Sequence, residues 1–442
     1  MVSTTNWSER FADLKREIVA AIPDYERRLT QSWNDLLQEL DERTTEIVDE
    51  GSNYIPQVHF QYLDTLVPEQ LDDIRRKGSI VIHGVVEEGE AVEWKTALED
   101  FIKANPHVEG FPEQDKQLSF LYWTRAQVQA RAHPNVLKVC TWINNLYRAK
   151  TDKKMEGVGL DVPLVYADSF HICRPGVPWN VHPPHVNDGS TERWEDSNFR
   201  RYFADILSGN WRQHDPYELE GRLDARVSLS GKPGQATAFR TFQGWLAMTE
   251  TGPTQGTLKV FPDVPLSNAY TILRPFFRPT VPLDSEDILD PKNWMFDIST
   301  PDFPGIQPCD SGLVGQQPTP DLHPHLRLED TMISVPKFNP GDMIFWQCDV
   351  IHSIEQEHTG SHDSAVMYIP AVAITSTIID TVPQTPQNTA YVKRQAETFL
   401  AGTNPLDFAS DGTDLPYVGL GVDADIVQPI SRIAMGLPVA VA

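Results

Sequence analysis

The sequence predicts an α+β protein with a mainly β core, in which a helical N-terminal region leads into a sandwich or jelly roll. Three observations carry that expectation. Apolar residues recur at helical spacing through residues 8–50. Beyond about residue 160 the chain changes to short runs rich in Val, Ile and aromatics, with no helices alternating between them. Pro- and Gly-rich turns separate those runs, and two long inserts interrupt them.

Phe11, Leu14 and Ile18, then Leu29, Trp33, Leu36, Leu37 and Leu40, define two helices, with Pro23 and Asp24 as the break. A shorter helix ends near Gly78, and "SIVIHGVV" after it is a β-branched run of strand length. A helix carrying Val92, Trp94, Leu98 and Phe101 stops before Pro106. "HPNVLKVCTWINNLYRAK" (133–150) reads as one more amphipathic helix. Strands are expected in 163–176, 244–252, 256–264, 341–355 and 364–375. The expected organisation is a mostly helical region over 1–160 and a core over 161–376 with inserts at 191–230 and 276–330. A loop-rich wrap over 377–442 follows, ending in one short helix. Inserts of such length often form lids or binding loops.

The 442 residues are 40% hydrophobic and 10% aromatic, enough for a sizeable core, and carry a formal charge of −25. That balance argues against nucleic acid and anionic membranes as partners, because no basic stripe exists to replace phosphate counterions. Cys140, Cys173, Cys309 and Cys348 fall in no zinc-ligand spacing, and reduced thiols in a cytoplasmic protein are the expectation. The first residues fit neither a secretory signal nor a transit peptide. No apolar run approaches the roughly 18 residues of a membrane span.

Chemistry is suggested by two segments, "HPPHVNDGS" (182–190) and "GDMIFWQCDVIHSIE" (341–355). In a jelly roll, a late His can face an earlier His-x-carboxylate across the interior. Two imidazoles and one carboxylate on one face of Fe(II) leave three positions open. His185 and His352 are the expected ligands. Asn187 occupies the carboxylate slot, and Asp188 stands one residue beyond it. His182 is set aside, because Pro183 and Pro184 preclude the helical turn that would align it. His323 and His325 read as loop residues, and Trp245 and Trp346 as core aromatics. No nucleophile elbow, phosphate loop or dinucleotide fingerprint is present.

The segments "YADSFHICRPG", "HVNDGSTERWED", "FQGWLAMTETGPTQGTLKVFP" and "GDMIFWQCDVIHSIE" resemble the DUF1479 family, and the resemblance runs along nearly the whole chain. It implies a double-stranded β-helix and an oxygenase that uses Fe(II), 2-oxoglutarate and dioxygen. Such an enzyme hydroxylates, desaturates or cyclises a small substrate at a C–H bond, and some fungal relatives act on amino acids in secondary metabolism. The family's metal ligands fall on His185, Asn187 and His352, where the family pattern has Asp at 187. Three readings follow: Asn187 is a weak ligand, Asp188 substitutes for it, or the chain is metal-poor. After His352 the next basic side chain is Lys393, too far along for the usual 2-oxoglutarate anchor. Lys259, Arg174 and Arg240 are the candidates for that cation, with Ser364 and Tyr368 adding hydroxyls. The rival reading is a non-catalytic small-molecule-binding protein on the same barrel.

Overall fold

A computed structural model describes residues 8–149, 155, 158–223, 225–226, 239–309, 312–313, 315–375, 388–403, 405 and 417–439. The first helices span Arg10–Ala20 and Tyr25–Glu50. Asp24 breaks between them in the left-handed conformation, at φ 52°. The second helix buries Trp33, which stacks on Phe277 with centroids 4.5 Å apart and on Tyr270 at 5.2 Å. The helix Pro68–Lys77 ends at Gly78, whose φ of 68° suits glycine. A Cβ there would also meet Val264 Cγ2 at 2.1 Å. The helices Glu88–Ala104, Arg125–Ala132 and Pro134–Asn144 follow.

The fold is mixed α+β. A ten-stranded sheet runs in the order Gln57–His59, Ser79–His83, Met343–Gln347, Arg240–Ala247, Ser364–Tyr368, Phe170–Cys173, Leu118–Ser119, Gly110–Phe111. Ala371–Thr375 and Val158–Leu164 join it at the side of Arg240–Ala247. A second sheet of three strands holds Ile333–Ser334, Leu258–Val260 and His352–Ile354. The helical N-terminal region therefore also supplies strands to the large sheet.

Alternation sorts each strand's residues onto two faces. Ile80, Ile82, Leu246, Met343, Phe345, Ala365 and Met367 lie on one face, packed with Trp94, Leu98, Leu137 and Ile143 of the helices. Trp245, Ile344, Trp346 and Val366 lie on the other, in a cluster with Leu258 and Val260 of the small sheet. At about 25 cal/mol per Å², burial on both faces is the main force holding the layers together.

Several elements differ from expectation. The strand expected over 163–176 is divided into Val158–Leu164 and Phe170–Cys173. The strand expected over 256–264 shortens to Leu258–Val260, and Asp263 then caps a helix, Val264–Leu273, through Leu266 N–H. That helix is buried all round, so it shows no amphipathic period. Asn388–Ala401 and Pro429–Ala434 are both helical, where a single short helix was expected. Residues 224 and 227–230 of the first insert, 310–311 and 314 of the second, 376 at the end of the core, and 377–387, 404, 406–416 and 440–442 of the wrap lie outside the described residues. Among those described, no helix is long and apolar enough to cross a membrane.

Candidate functional site

The site begins with one β-bridge. His185 and His352 exchange both backbone hydrogen bonds at 3.0 Å, tying the 182–188 segment to the small sheet. Their rings lie 4.2 Å apart between centroids. His352 pairs in register with Val260, so its side chain points inward with that residue.

Both tautomers are set by backbone carbonyls, which can only accept. His185 Nδ1–H donates to Pro183 O at 2.7 Å, and His352 Nδ1–H donates to Val350 O at 2.9 Å. Each Nε2 therefore keeps its lone pair, as a metal-binding imidazole requires. Burial lowers both pKa values, and for His352 the neighbouring His185 adds to the effect and carries it well below the ordinary range. Arg240 depresses both further.

Two amides converge on His352 Nε2. Asn187 Nδ2 donates at 3.3 Å and Gln243 Nε2 at 3.4 Å. Half a turn of either terminal amide would present its oxygen instead. Gln243 was not anticipated from the sequence, where a lone Gln in an apolar strand carries no signal. It lies on the inner face of Arg240–Ala247, opposite Trp346.

At φ 62° the Asp188 backbone is left-handed, and its carboxylate meets Arg222 at 3.4 Å and Arg240 at 3.5 Å. The Asp188 carboxylate is thus set against two guanidinium groups, while Asn187 faces His352. Among the described residues, no group of three or more His, Cys, Asp and Glu could hold a metal ion.

Arg193 fixes the turn from behind. Its Nη2 donates to the carbonyls of Asn187 and Asp188 at 3.0 Å each, and to Asp349 Oδ1 at 2.8 Å. Tyr202 Oη donates to the other Asp349 oxygen at 3.1 Å. Burial alone would raise the Asp349 pKa, but Arg193 and Arg222 hold it below its ordinary value.

Of the cations expected to anchor a carboxylate, only Arg240 lies beside the histidines. A bulge places it there: Ala371 pairs with Phe242 but Val372 pairs with Arg240, so Thr241 is the extra residue. The phase reverses, and Arg240 turns toward Asp188 rather than lying with Phe242 and Leu246. Its Nη1 donates to Tyr166 Oη at 3.3 Å. Lys259 alternates with Leu258 and Val260, so it points to the opposite side of the small sheet. Arg174 is a surface cation paired with Asp115. Ser364 accepts from Thr251 Oγ1 at 3.1 Å, and Tyr368 Oη lies 3.4 Å from His171 Nδ1. His182 Nδ1 accepts from Trp179 Nε1 at 3.0 Å. His325 packs against Trp33 and Tyr270 in the core, and His323 against Tyr270.

Fold and site together define a mixed α+β protein with a two-histidine centre, His352 buried and His185 half-buried, backed by arginines. The chain matches the Gig2-like family over residues 5–437 and belongs to it. The Escherichia coli protein YbiU, itself uncharacterised, is 28% identical over 369 residues, covering 81% of this chain and 79% of YbiU. The crystal structure of GlcNAc Inducible Gene 2, GIG2 (DUF1479), from Candida albicans superposes with a TM-score of 0.84 at 27% identity, covering 98% of this chain and 91% of that one. The hypothetical protein JW0805 from Escherichia coli gives 0.77 at 25% identity, covering 97% and 96%.

Proposed function

We propose that the protein is an Fe(II)- and 2-oxoglutarate-dependent oxygenase of a small substrate, built on a double-stranded β-helix. The observation that carries this reading is the histidine pair. Two sheets face each other across a shared core, and at their seam both imidazoles keep an Nε2 lone pair while donating Nδ1–H to a carbonyl. The donor set fits a divalent transition metal held by His185, His352 and the Asn187 amide oxygen, with a lower affinity than a carboxylate would give. Iron bound there supplies dioxygen activation coupled to decarboxylation of 2-oxoglutarate, which oxidises a substrate C–H bond.

The chain's own residues bind and orient. Arg240 is the proposed anchor for the far carboxylate of 2-oxoglutarate, because a guanidinium pairs with a carboxylate directionally. Arg193 holds the 187–188 backbone so that Asn187 keeps its aim. Trp346, whose ring lies 5.4 Å from His352, keeps that side of the pair dry. We further propose that 161–376 forms the oxygenase unit, with 1–160 packed on it and 377–442 wrapping it.

A second reading, a non-catalytic small-molecule-binding protein, is favoured by one observation: amides stand where a carboxylate is usual, and Asp188 is committed to arginines. Purified protein supplied with Fe(II), 2-oxoglutarate and a panel of amino acids separates the two. Succinate formation that disappears in His352→Ala is expected. No succinate with any substrate, together with unchanged ligand affinity in His352→Ala, would establish the binding protein instead.

A further inference from the structure

The donors that meet at His352 Nε2 share one property, in that none carries a charge. His185 and His352 each turn Nδ1–H to a backbone carbonyl and keep an uncharged Nε2 acceptor, and Asn187 and Gln243 are amides. Beside them the buried charges do not balance. Arg131, Arg193, Arg222 and Arg240 face Asp168, Asp188 and Asp349, which leaves one guanidinium in surplus within this network. Arg222 Nε and Nη1 and Arg240 Nε are buried without a hydrogen-bond partner among the described residues. The Arg222 side chain is only 1% exposed, and its guanidinium packs over the rings of Phe199, Tyr202 and Phe239.

Elementary electrostatics then decides what such a site accepts. A bare divalent cation would give up its hydration, meet no countercharge and be repelled by the surplus guanidinium. A dicarboxylate alone would find N–H donors, but one surplus positive charge cannot offset the desolvation of two negative ones. Cation and dianion together are neutral. They satisfy the imidazole lone pairs and offer carboxylate oxygens to the neighbouring Arg240 guanidinium in one step.

We infer that the site takes up its divalent cation and a chelating dicarboxylate as a single neutral unit, each binding weakly without the other. This rests on reading His185 and His352 as metal ligands. It goes beyond that reading by making the small molecule supply the charge that the chain omits at Asn187. Linkage requires the effect to be reciprocal, so each ligand strengthens the other by the same factor.

Mn(II) is the probe, followed through the electron paramagnetic resonance signal of the free ion on the full chain, without oxygen. Adding 2-oxoglutarate is expected to tighten Mn(II) binding at least about tenfold, within the roughly 5–150-fold range of such couplings. Mn(II) should tighten 2-oxoglutarate by the same factor in calorimetry. Asn187→Asp restores the missing charge, so Mn(II) alone should bind more tightly and the coupling should shrink toward one. Gln243→Glu places the charge on the neighbouring amide, and the same direction is expected should Asn187→Asp fold poorly. Equal Mn(II) affinity with and without 2-oxoglutarate overturns the coupling while leaving the metal site intact. No Mn(II) binding under either condition, in protein whose circular dichroism is native, overturns the coupling and the metal reading together. Coupling undiminished in both carboxylate variants overturns the argument from charge.

Discussion

The two faces of the ten-stranded sheet are built for different ends. The helix-facing side carries Ile82, Leu246, Met343, Phe345 and Met367, closed by apolar side chains of the helices. The inward side carries His171, Gln243, Trp245, Trp346 and Tyr368, with His352 reaching across from the small sheet. The first face derives most of its strength from packing, with a few buried hydrogen bonds such as Gln347 Nε2 to Tyr147 Oη at 2.8 Å. The second accepts buried polar groups, which contribute little to stability and leave a chemically usable interior. Stability and function are thus divided between opposite sides of the same strands.

Acid should show the largest difference between the faces. His171 and His352 are buried and neutral, with folded-state pKa values lowered by burial, that of His171 to about 3. The unfolded chain protonates near 6.5 and binds protons the folded chain refuses. Stability therefore rises with pH up to about 6.5 and falls below it. His171 alone should cost roughly 2 kcal/mol between pH 6.5 and 5, and His352 adds a loss in the same direction. Urea midpoints measured across that range check this, and a flat profile would mean that the inward histidines are not buried neutral.

Phe345→Ala empties a fully buried position on the apolar face and should cost about 3–5 kcal/mol. Thermal melts measure that loss, while Mn(II) affinity of the folded fraction should not change. Gln243→Ala, one strand away on the inward face, should cost only about 0.5–1.5 kcal/mol. Its effect should appear instead in Mn(II) and 2-oxoglutarate binding, measured by calorimetry. A large loss of stability with unaltered binding would reverse the assignment of the two faces. Smallest of all, Lys259→Ala and Arg174→Ala should each stay within about 0.5 kcal/mol of the parent and leave 2-oxoglutarate binding unchanged. Arg240→Ala should abolish that binding.

The apolar face was the legible one. Leu98, Phe101 and the β-branched run from Ile80 to Ile82 announce burial through spacing and composition, which act locally. His185 and His352 were also legible, because a paired-histidine pattern is a property of residue types at set distances. Arg240 could be named only as one of three cations. What singles it out is the extra residue Thr241, a register fact that depends on the partner strand. Asp188 looked like a spare ligand in the sequence, but the left-handed turn that swings it to Arg222 and Arg240 depends on contacts far along the chain. The helix Val264–Leu273 escaped for the opposite reason: it is apolar on every side, so no period marks it.

The histidine bridge also bears on how the molecule comes together. Asn187 and His352 meet from 165 positions apart, and the β-bridge at His185 and His352 together with the backbone hydrogen bonds from Trp179 to Gln356 and from Gly176 to His358 fastens their segments. Closing so long a loop is entropically costly, and contacts of high sequence separation form slowly. The candidate centre is therefore a feature of the finished fold, which no fragment lacking either half can reproduce. Occupancy of the centre would serve as a clock for refolding, reporting the moment when these two distant segments meet.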